Sequence, residues 1–432
     1  MTFTLQEARS RAVLALRSQD YALALRLGYG LLQADPKDSE AHYIVAVSQA
    51  GLGRPAEARI SVRRAFQTAP KETPKKFFAA QTAAQLALKT KRYTSSQYWL
   101  RRSLAHAPNE RLRNQTISDF RQIKSLKPVS FSGSFSIAPS DNVNSGTDDP
   151  YLIIDGLPAV GILSASSRPL SGIVARANVR FSYRLAQNEK SHFQLNGRVY
   201  HREVMLSSAS KATGVSNDEL SSATYELGLS HMRIGQNGSF NRYGFELGRN
   251  YSGRSAQNDY ARLSFSHTFR SGDADSLTLG ATYRHIRYNT AILNRASQIE
   301  LRGDYRRKFA SGDTLQSGLI LGQTHSERGN VSQSSATAYV TYGFDQKVGP
   351  AEVSVTLGAK YADYPRFFIG FLSAPGGRQD SALFGTIDLR IADFETAGFV
   401  PTVSLQLNKT SSNISRYETE SASIAIGFAS SF

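Results

Sequence analysis

From Val129 to its end, the chain changes character at every second residue. In "VARANVRFSYRL" one set of side chains is Ala175, Ala177, Val179, Phe181, Tyr183 and Leu185, and the other is Val174, Arg176, Asn178, Arg180, Ser182 and Arg184. In "SQIELRGDYRRKF", Ile299, Leu301, Gly303 and Tyr305 alternate with Gln298, Glu300, Arg302, Asp304 and Arg306, and "VSVTLGAKY" sets Val353, Val355, Leu357, Ala359 and Tyr361 on one face. A period of two is that of a β-strand with one apolar and one polar face. No stretch approaches the roughly 18 continuous apolar residues of a spanning helix. If such a chain crosses a membrane, it does so as a closed barrel, the only strand architecture that leaves no backbone group unpaired in lipid.

Fourteen alternating segments can be counted, near 129–137, 171–185, 191–205, 221–233, 240–250, 258–270, 276–288, 297–309, 314–325, 335–347, 351–363, 379–391, 399–410 and 417–432. Tight connections such as "AQNEK", "RSGDA", "ASGD" and "KVGP" follow the even segments, and longer ones, above all 138–170, 206–220 and 364–378, follow the odd. A soluble β-sandwich array also alternates. The length of the segments, the alternation of short turns with long loops, and the 20 Tyr and 23 Phe against a single Trp favour a transmembrane barrel. An even count brings both barrel termini, and whatever precedes them, to the side of the tight turns, which is the periplasm in an outer-membrane arrangement. The final stretch "SASIAIGFASSF" places Ile424, Ile426 and Phe428 toward lipid and Ala425 and Gly427 toward the lumen. It has to pair with the first strand to close the barrel. Its Phe428 and terminal Phe432 resemble the signal read by the barrel assembly machinery, from which Ser430 departs.

The first 128 residues follow a different rule. They carry 22 Lys and Arg against 9 Asp and Glu, leaving 29 against 26 for the remainder, so the net charge of +16 is concentrated there. Ala12, Ala46 and Ala84 each precede Ala24, Ala58 and Ser96 by 12 positions, and these precede Pro36, Pro70 and Pro108 by another 12. Apolar spacing within each unit is helical, with turns at "SQDY", "LGRP" and "TKRY". The pattern resembles the tetratricopeptide repeat, in which small residues stand where paired helices cross and Pro ends the second helix. The usual aromatic of the first helix is replaced by Ala8, His42 and Ala80, and a generic helical bundle is the alternative. Either arrangement suits holding a peptide or protein. Arg63, Arg64, Lys75, Lys76, Lys91, Arg92, Arg101 and Arg102 would favour an acidic partner, or form a solvated face. The expected fold class is an all-α repeat domain over 1–128 followed by an all-β domain over 129–432, a fourteen-stranded antiparallel transmembrane β-barrel.

The chain has no cysteine, which removes disulfides, thiolate metal sites and thioether lipid attachment. Its start, "MTFTLQEARSRAVLALRSQ", lacks the pattern of a signal peptide, so either the protein is cytoplasmic or an export signal lies upstream. Catalysis is not expected. Ser230 with His231, and Ser266 with His267, are adjacent in strands and point to opposite faces, the eight His lack metal-ligand spacing, and no glycine-rich phosphate loop is present. No cofactor is expected and nucleic acid is not an expected partner. Residues expected to line the lumen are Arg176, Arg180, Arg184, Arg302, Asp304, Arg306 and Arg390, with Glu246, Glu300 and Asp388. They would either pair with one another or form a polar route for an unfolded chain.

One stretch resembles a known family closely. "FSGSFSIAPSDNVNSGT" is similar to the first barrel strand and its exit in the surface lipoprotein assembly modulators, also called Slam or type XI secretion translocons. Their Pro, Asp, Asn, x, Asn, x, x, Thr pattern falls on Pro139, Asp141, Asn142, Asn144 and Thr147. "SSNISRYETESASIAIGFASSF" is similar to the family's last strand. The resemblance implies periplasmic repeats, a fourteen-stranded outer-membrane barrel, and movement of exported lipoprotein or soluble protein cargo to the cell surface, with outer-membrane lipid and the barrel assembly machinery as further partners. Asp and Asn also cap turns through local bonds, an alternative role for the motif. A passive outer-membrane porin with a periplasmic repeat domain is the alternative function.

Overall fold

The computed structural model describes residues 4–70, 73–157, 160–289, 292, 294–394 and 399–430. The chain divides into two compact units, Met1–Pro128 and Val129–Phe432.

The first unit is helical: α1 (Leu5–Arg17), α2 (Tyr21–Ala34), α3 (Ser39–Gly51), α4 (Pro55–Thr68), α5 (Pro74–Lys89), α6 (Tyr93–Leu104) and α7 (Glu110–Leu126). Sequence signals start every helix but α6. Thr4 and Glu7 form a capping box, the side chains of Asp20, Asp38 and Asn109 accept from first-turn amides, and Pro55 and Pro74 open their helices. The six small residues of the repeat ruler all lie where paired helices cross, none more than 1% exposed. At the third crossing the Ser96 hydroxyl donates to the Ala84 carbonyl at 2.8 Å, joining the two ruler positions directly. The turns repeat as well. Gln19, Gly53 and Lys91, at equivalent positions, have φ of 61°, 74° and 55°. The next amides, of Asp20, Arg54 and Arg92, donate to Ala15, Gln49 and Ala87, each at 2.8 Å. This left-handed helix ending satisfies carbonyls that would otherwise be orphaned. Three identical endings and three small-residue crossings define tetratricopeptide-like helical pairs, with α7 packing last, through Phe120 and Ile123, against Leu100 and Ala84.

The second unit is a closed antiparallel barrel of fourteen strands: β1 (Val129–Ser140), β2 (Gly172–Gln187), β3 (Ser191–Leu206), β4 (Ser222–Ile234), β5 (Phe240–Ser252), β6 (Ser255–Ser271), β7 (Asp275–Tyr288), β8 (Arg295–Lys308), β9 (Thr314–Ser326), β10 (Gln333–Gly343), β11 (Glu352–Tyr364), β12 (Arg378–Arg390), β13 (Phe399–Ser412) and β14 (Thr419–Ser430). Each of the fourteen expected segments is one of these strands. Consecutive strands pair, and β14 returns to β1, so the closed ring replaces the sandwich alternative. Both chain ends of the barrel lie at one rim, the turn end. The other rim, the loop end, carries the long connection over 141–171 and two small hairpins at 151–162 and 368–373. One connection departs from the expected alternation: between β5 and β6, at the loop end, only Gly253 and Arg254 intervene.

Outward positions are apolar, and Leu227, Leu263, Leu357 and Ile426 are each more than half exposed. Aromatics mark both edges of this band. On β5 they are Tyr243 and Tyr251, eight residues apart. At about 3.3 Å per residue and a tilt of about 40°, that separation spans about 20 Å of height. His231 and His267 face outward at the turn end, as the alternation predicts. His231 stacks beside Tyr243 with ring centroids 6.2 Å apart, and His267 meets Phe269 at 4.1 Å. Among the described residues no helix is long and apolar enough to cross a membrane.

Candidate functional site at the barrel seam

The seam between β1 and β14 differs from the other ladders. All twelve residues of β1 pair with β2, from Val129↔Tyr183 to Ser140↔Gly172. Toward β14, among the described residues, only Ser134↔Ala429, Phe135↔Phe428, Ser136↔Gly427 and Ile137↔Ile426 are in register. On its other edge β14 pairs with β13 from Thr419 to Ser430. The segment Thr419–Ala425 therefore has one paired edge and one edge that the ladder with β1 does not reach. Where the strands do meet, they meet closely: a Cβ on Gly427 would stand 2.0 Å from the Phe135 carbonyl oxygen, so only glycine fits.

Two side chains extend this short ladder, one at each end. At the turn end, the Gly133 amide donates to Ser430 Oγ at 2.7 Å and the same hydroxyl donates to the Gly133 carbonyl at 3.1 Å. Ser430, the departure from the apolar pattern, thus binds β1. At the loop end, Asn142 Nδ2 donates to the Gly146 carbonyl at 2.8 Å and to the Glu420 carbonyl of β14 at 3.4 Å, while its Oδ1 accepts from the Gly146 amide at 2.6 Å. Asn142 is 9% exposed and Thr147 1%.

The other motif residues hold the same loop. Asn144 Nδ2 donates to the carbonyls of Ser166 and Arg168 at 3.0 and 2.8 Å, and its Oδ1 accepts from the Leu170 amide at 2.9 Å. The Thr147 amide donates to Ser167 at 3.2 Å. Pro139 is exposed opposite Ile173, and Asp141 is exposed just beyond β1. The local-capping alternative accounts for the Asn142–Gly146 pair and for Thr147, whose hydroxyl accepts from the Asp149 amide at 3.3 Å, but not for the longer bonds. Asn144 reaches across more than 20 residues of sequence, and Asn142 reaches the last strand. Further along, the loop docks on the β13–β14 hairpin. Ser415 Oγ donates to the Tyr151 carbonyl at 2.7 Å and accepts from the Ile153 amide at 2.9 Å, and Ile154 bridges Ile414. Ile154, Phe367, Ala374 and Ile414 make a small apolar core beneath.

Behind the seam lies a polar cavity of about 460 Å³, lined by Ser140, Asn142, Asn144, Arg176, Arg202 and Ser421 among others. Arg202 steadies its roof, donating to the Val143 carbonyl at 2.7 Å and to the Leu220 carbonyl. Of the expected lumen residues, Arg176 lines this cavity, and Arg180 lines a second of about 470 Å³ with Arg198, Glu226, Glu246 and Arg262. There four of the charges pair: Glu226 accepts from Arg198 and Arg262, each at 3.2 Å, and from Tyr260, and Arg262 also pairs with Glu246. Arg302 Nη2 donates to Asp304 at 3.0 Å and to Tyr339 at 2.9 Å. Arg390 faces Glu352 at 4.0 Å, Arg306 stands exposed between Ser276 and Gln316, and Arg184 sits beside a β-bulge opposite Gln194. Glu226, Arg198 and Arg262 were missed from sequence, although "YELGL" already puts Glu226 on the polar face between Tyr225 and Leu227. Phe428 faces outward, opposite Phe135. Phe432 lies outside the described residues.

These features define a class: a closed fourteen-stranded barrel with an apolar exterior and a tetratricopeptide-like helical unit ahead of it, a combination that fits an outer-membrane barrel protein. No model of a known protein family matches the chain, and no curated protein sequence matches it. Among solved structures it is similar to the type III secretion translocator chaperone SycD of Yersinia enterocolitica, at 19% identity and a TM-score of 0.26, covering 28% of this chain and 85% of that one. It is also similar to the TPR2B domain of yeast Sti1 in complex with an Hsp70 peptide, at 17% identity and a TM-score of 0.26, covering 28% and 98%.

Proposed function

We propose that the protein is an outer-membrane translocon of the surface lipoprotein assembly modulator kind. Its helical repeats collect an exported lipoprotein or soluble protein in the periplasm, and its barrel passes the cargo to the cell surface. The observation that carries this reading is the seam: four ladder pairs among the described residues, a side-chain clasp at each end, and a polar cavity behind the unpaired edge of Thr419–Ala425. A passive pore has no use for a weak first-to-last ladder, whereas a barrel that opens sideways requires one. The helical unit supports the first step, because stacked helical pairs offer a surface for an extended chain.

The absence of cysteine permits a clean test. Ser134 and Ala429 are register partners on the inner face of the seam, close enough in a β-ladder for a disulfide. In Ser134→Cys/Ala429→Cys, oxidation should abolish surface display of a co-expressed lipoprotein or soluble cargo that the wild type displays, and a reductant should restore it. Display that persists while a gel shows the cross-link complete would overturn the reading.

A further inference from the structure

The outer face carries a feature that translocation does not use. On β5 to β8, four consecutive register partners point outward in one row that climbs to the loop rim: Arg249, Asp259, Arg287 and Arg295. Asp259 is committed to Arg249, accepting at 2.5 and 3.0 Å in a two-pronged bond. Arg287 and Arg295 stand directly opposite one another, and among the described residues neither forms an ion pair. Like charges directly opposite on one face destabilise a sheet. Outward arginines are also costly toward the bilayer midplane and tolerated only near its surface, where lipid phosphates lie. Elsewhere near the loop rim the outward Lys409 pairs with Glu420.

A second observation lies immediately below the row. A groove of about 570 Å³ runs along the outer face between Val199, Leu227, Leu247 and Ala261, and its upper edge is formed by Arg249, Asp259 and Arg287. Ala261 opens it, being small where its neighbours in the register row are Leu247 and His285. An apolar channel headed by a row of three guanidinium groups and one carboxylate, positive on balance, matches one kind of occupant, an acyl chain whose headgroup is a phosphate.

We infer that the outward row Arg249–Arg287–Arg295 and the groove beneath it form a site for a phosphate-bearing lipid of the leaflet at the loop end. The phosphate lies between Arg287 and Arg295, relieving their repulsion through charge-assisted hydrogen bonds, and an acyl chain lies along Leu227, Leu247 and Ala261. The inference rests on the membrane-embedded barrel of the proposed function but not on translocation.

The test uses the full chain in detergent micelles, with dioleoyl phosphatidic acid and dioleoyl phosphatidylcholine as probes and native mass spectrometry as readout. The wild type should retain phosphatidic acid preferentially. Arg287→Ala/Arg295→Ala should erase the preference, by about fivefold for each arginine, whereas Arg233→Ala, an outward arginine at the turn end, should leave it unchanged. Equal retention of the two lipids by the wild type, undiminished preference in the double variant, or displacement of the lipid by inorganic phosphate alone would each overturn the site. Heat-modifiable migration on a gel, required of every variant, separates the failures: its absence in the wild type removes the membrane barrel, and its presence without lipid preference removes only this site.

Discussion

Asn142, two residues past the first barrel strand, donates its side-chain amide to the carbonyl of Glu420 in the last strand at 3.4 Å, across 278 residues of sequence. That bond falls where the ladder between the two strands no longer reaches, and it comes from a side chain already fixed by two bonds to Gly146. The loop end of the seam is therefore fastened by a pre-oriented amide, and the turn end by the Ser430 hydroxyl.

Asn142→Ala should free the loop half of the seam. Losing a largely buried hydrogen-bonding side chain costs about 1 kcal/mol or more, so hydrogen–deuterium exchange over residues 419–425 should speed up about fivefold or more. Ser430→Ala should instead accelerate exchange around Gly133 and leave 419–425 unchanged. Identical patterns in the two variants would show that the seam opens as one piece.

The three equivalent helix-ending turns make opposite predictions for equivalent positions. Gln19 and Lys91 hold the left-handed backbone conformation that Gly53 adopts without a Cβ. Lys91→Gly and Gln19→Gly should each stabilise the helical unit by about 0.5–1 kcal/mol, and Gly53→Ala should destabilise it by about 1 kcal/mol. The single tryptophan, Trp99, packs edge-on against Phe66 in this unit at 5.4 Å, so its fluorescence during urea unfolding of the full chain reports the helical unit alone.

The same fluorophore tests a pH dependence. Burial, and after it the positive charges of Lys76 and Arg102, hold His106 below its ordinary value of 6.5. The unfolded chain therefore takes up the proton first as the pH falls through about 6.5, and the folded helical unit loses stability from there downward until its own imidazole is protonated. Above that range the group is neutral in both states and the effect vanishes. His106→Gln should flatten the dependence of the urea midpoint on pH between 7.5 and 5.5, which are about one unit either side of the ordinary histidine value. An unchanged slope would place its origin in another group.

The barrel was legible because alternation is a property of single strands: every second residue reports its face without reference to any partner. The helical pairs were legible for a similar reason, since Ala12, Ala46 and Ala84 are small only because another helix crosses there. The seam was not. Whether β14 meets β1 over four residues or twelve depends on register between segments almost 300 positions apart, which no local pattern encodes. Ser430 read as a lapse in an apolar series because its function lies in the plane of the sheet, bonded to Gly133, and not on either face. The Asn pair was visible as a motif, but its bonds to Ser166, Arg168 and Glu420 join points that only the folded loop brings together. The lumen lay between these cases: the parity of Arg176 and Arg180 was readable, whereas the pairing of Glu226 with Arg198 and Arg262 needed the cross-strand register.

The seam also sets the order in which the barrel can form. Thirteen ladders join strands that follow one another along the chain, the longest connection among them being 141–171, but the last joins Ser134 to Ala429. The entropy of closing so long a loop is met only if the intervening strands have already drawn the ends together. Closure is thus the final step of folding, made among the described residues through the fewest rungs of any pair, and the step completed last is the one that needs the least disruption to reverse.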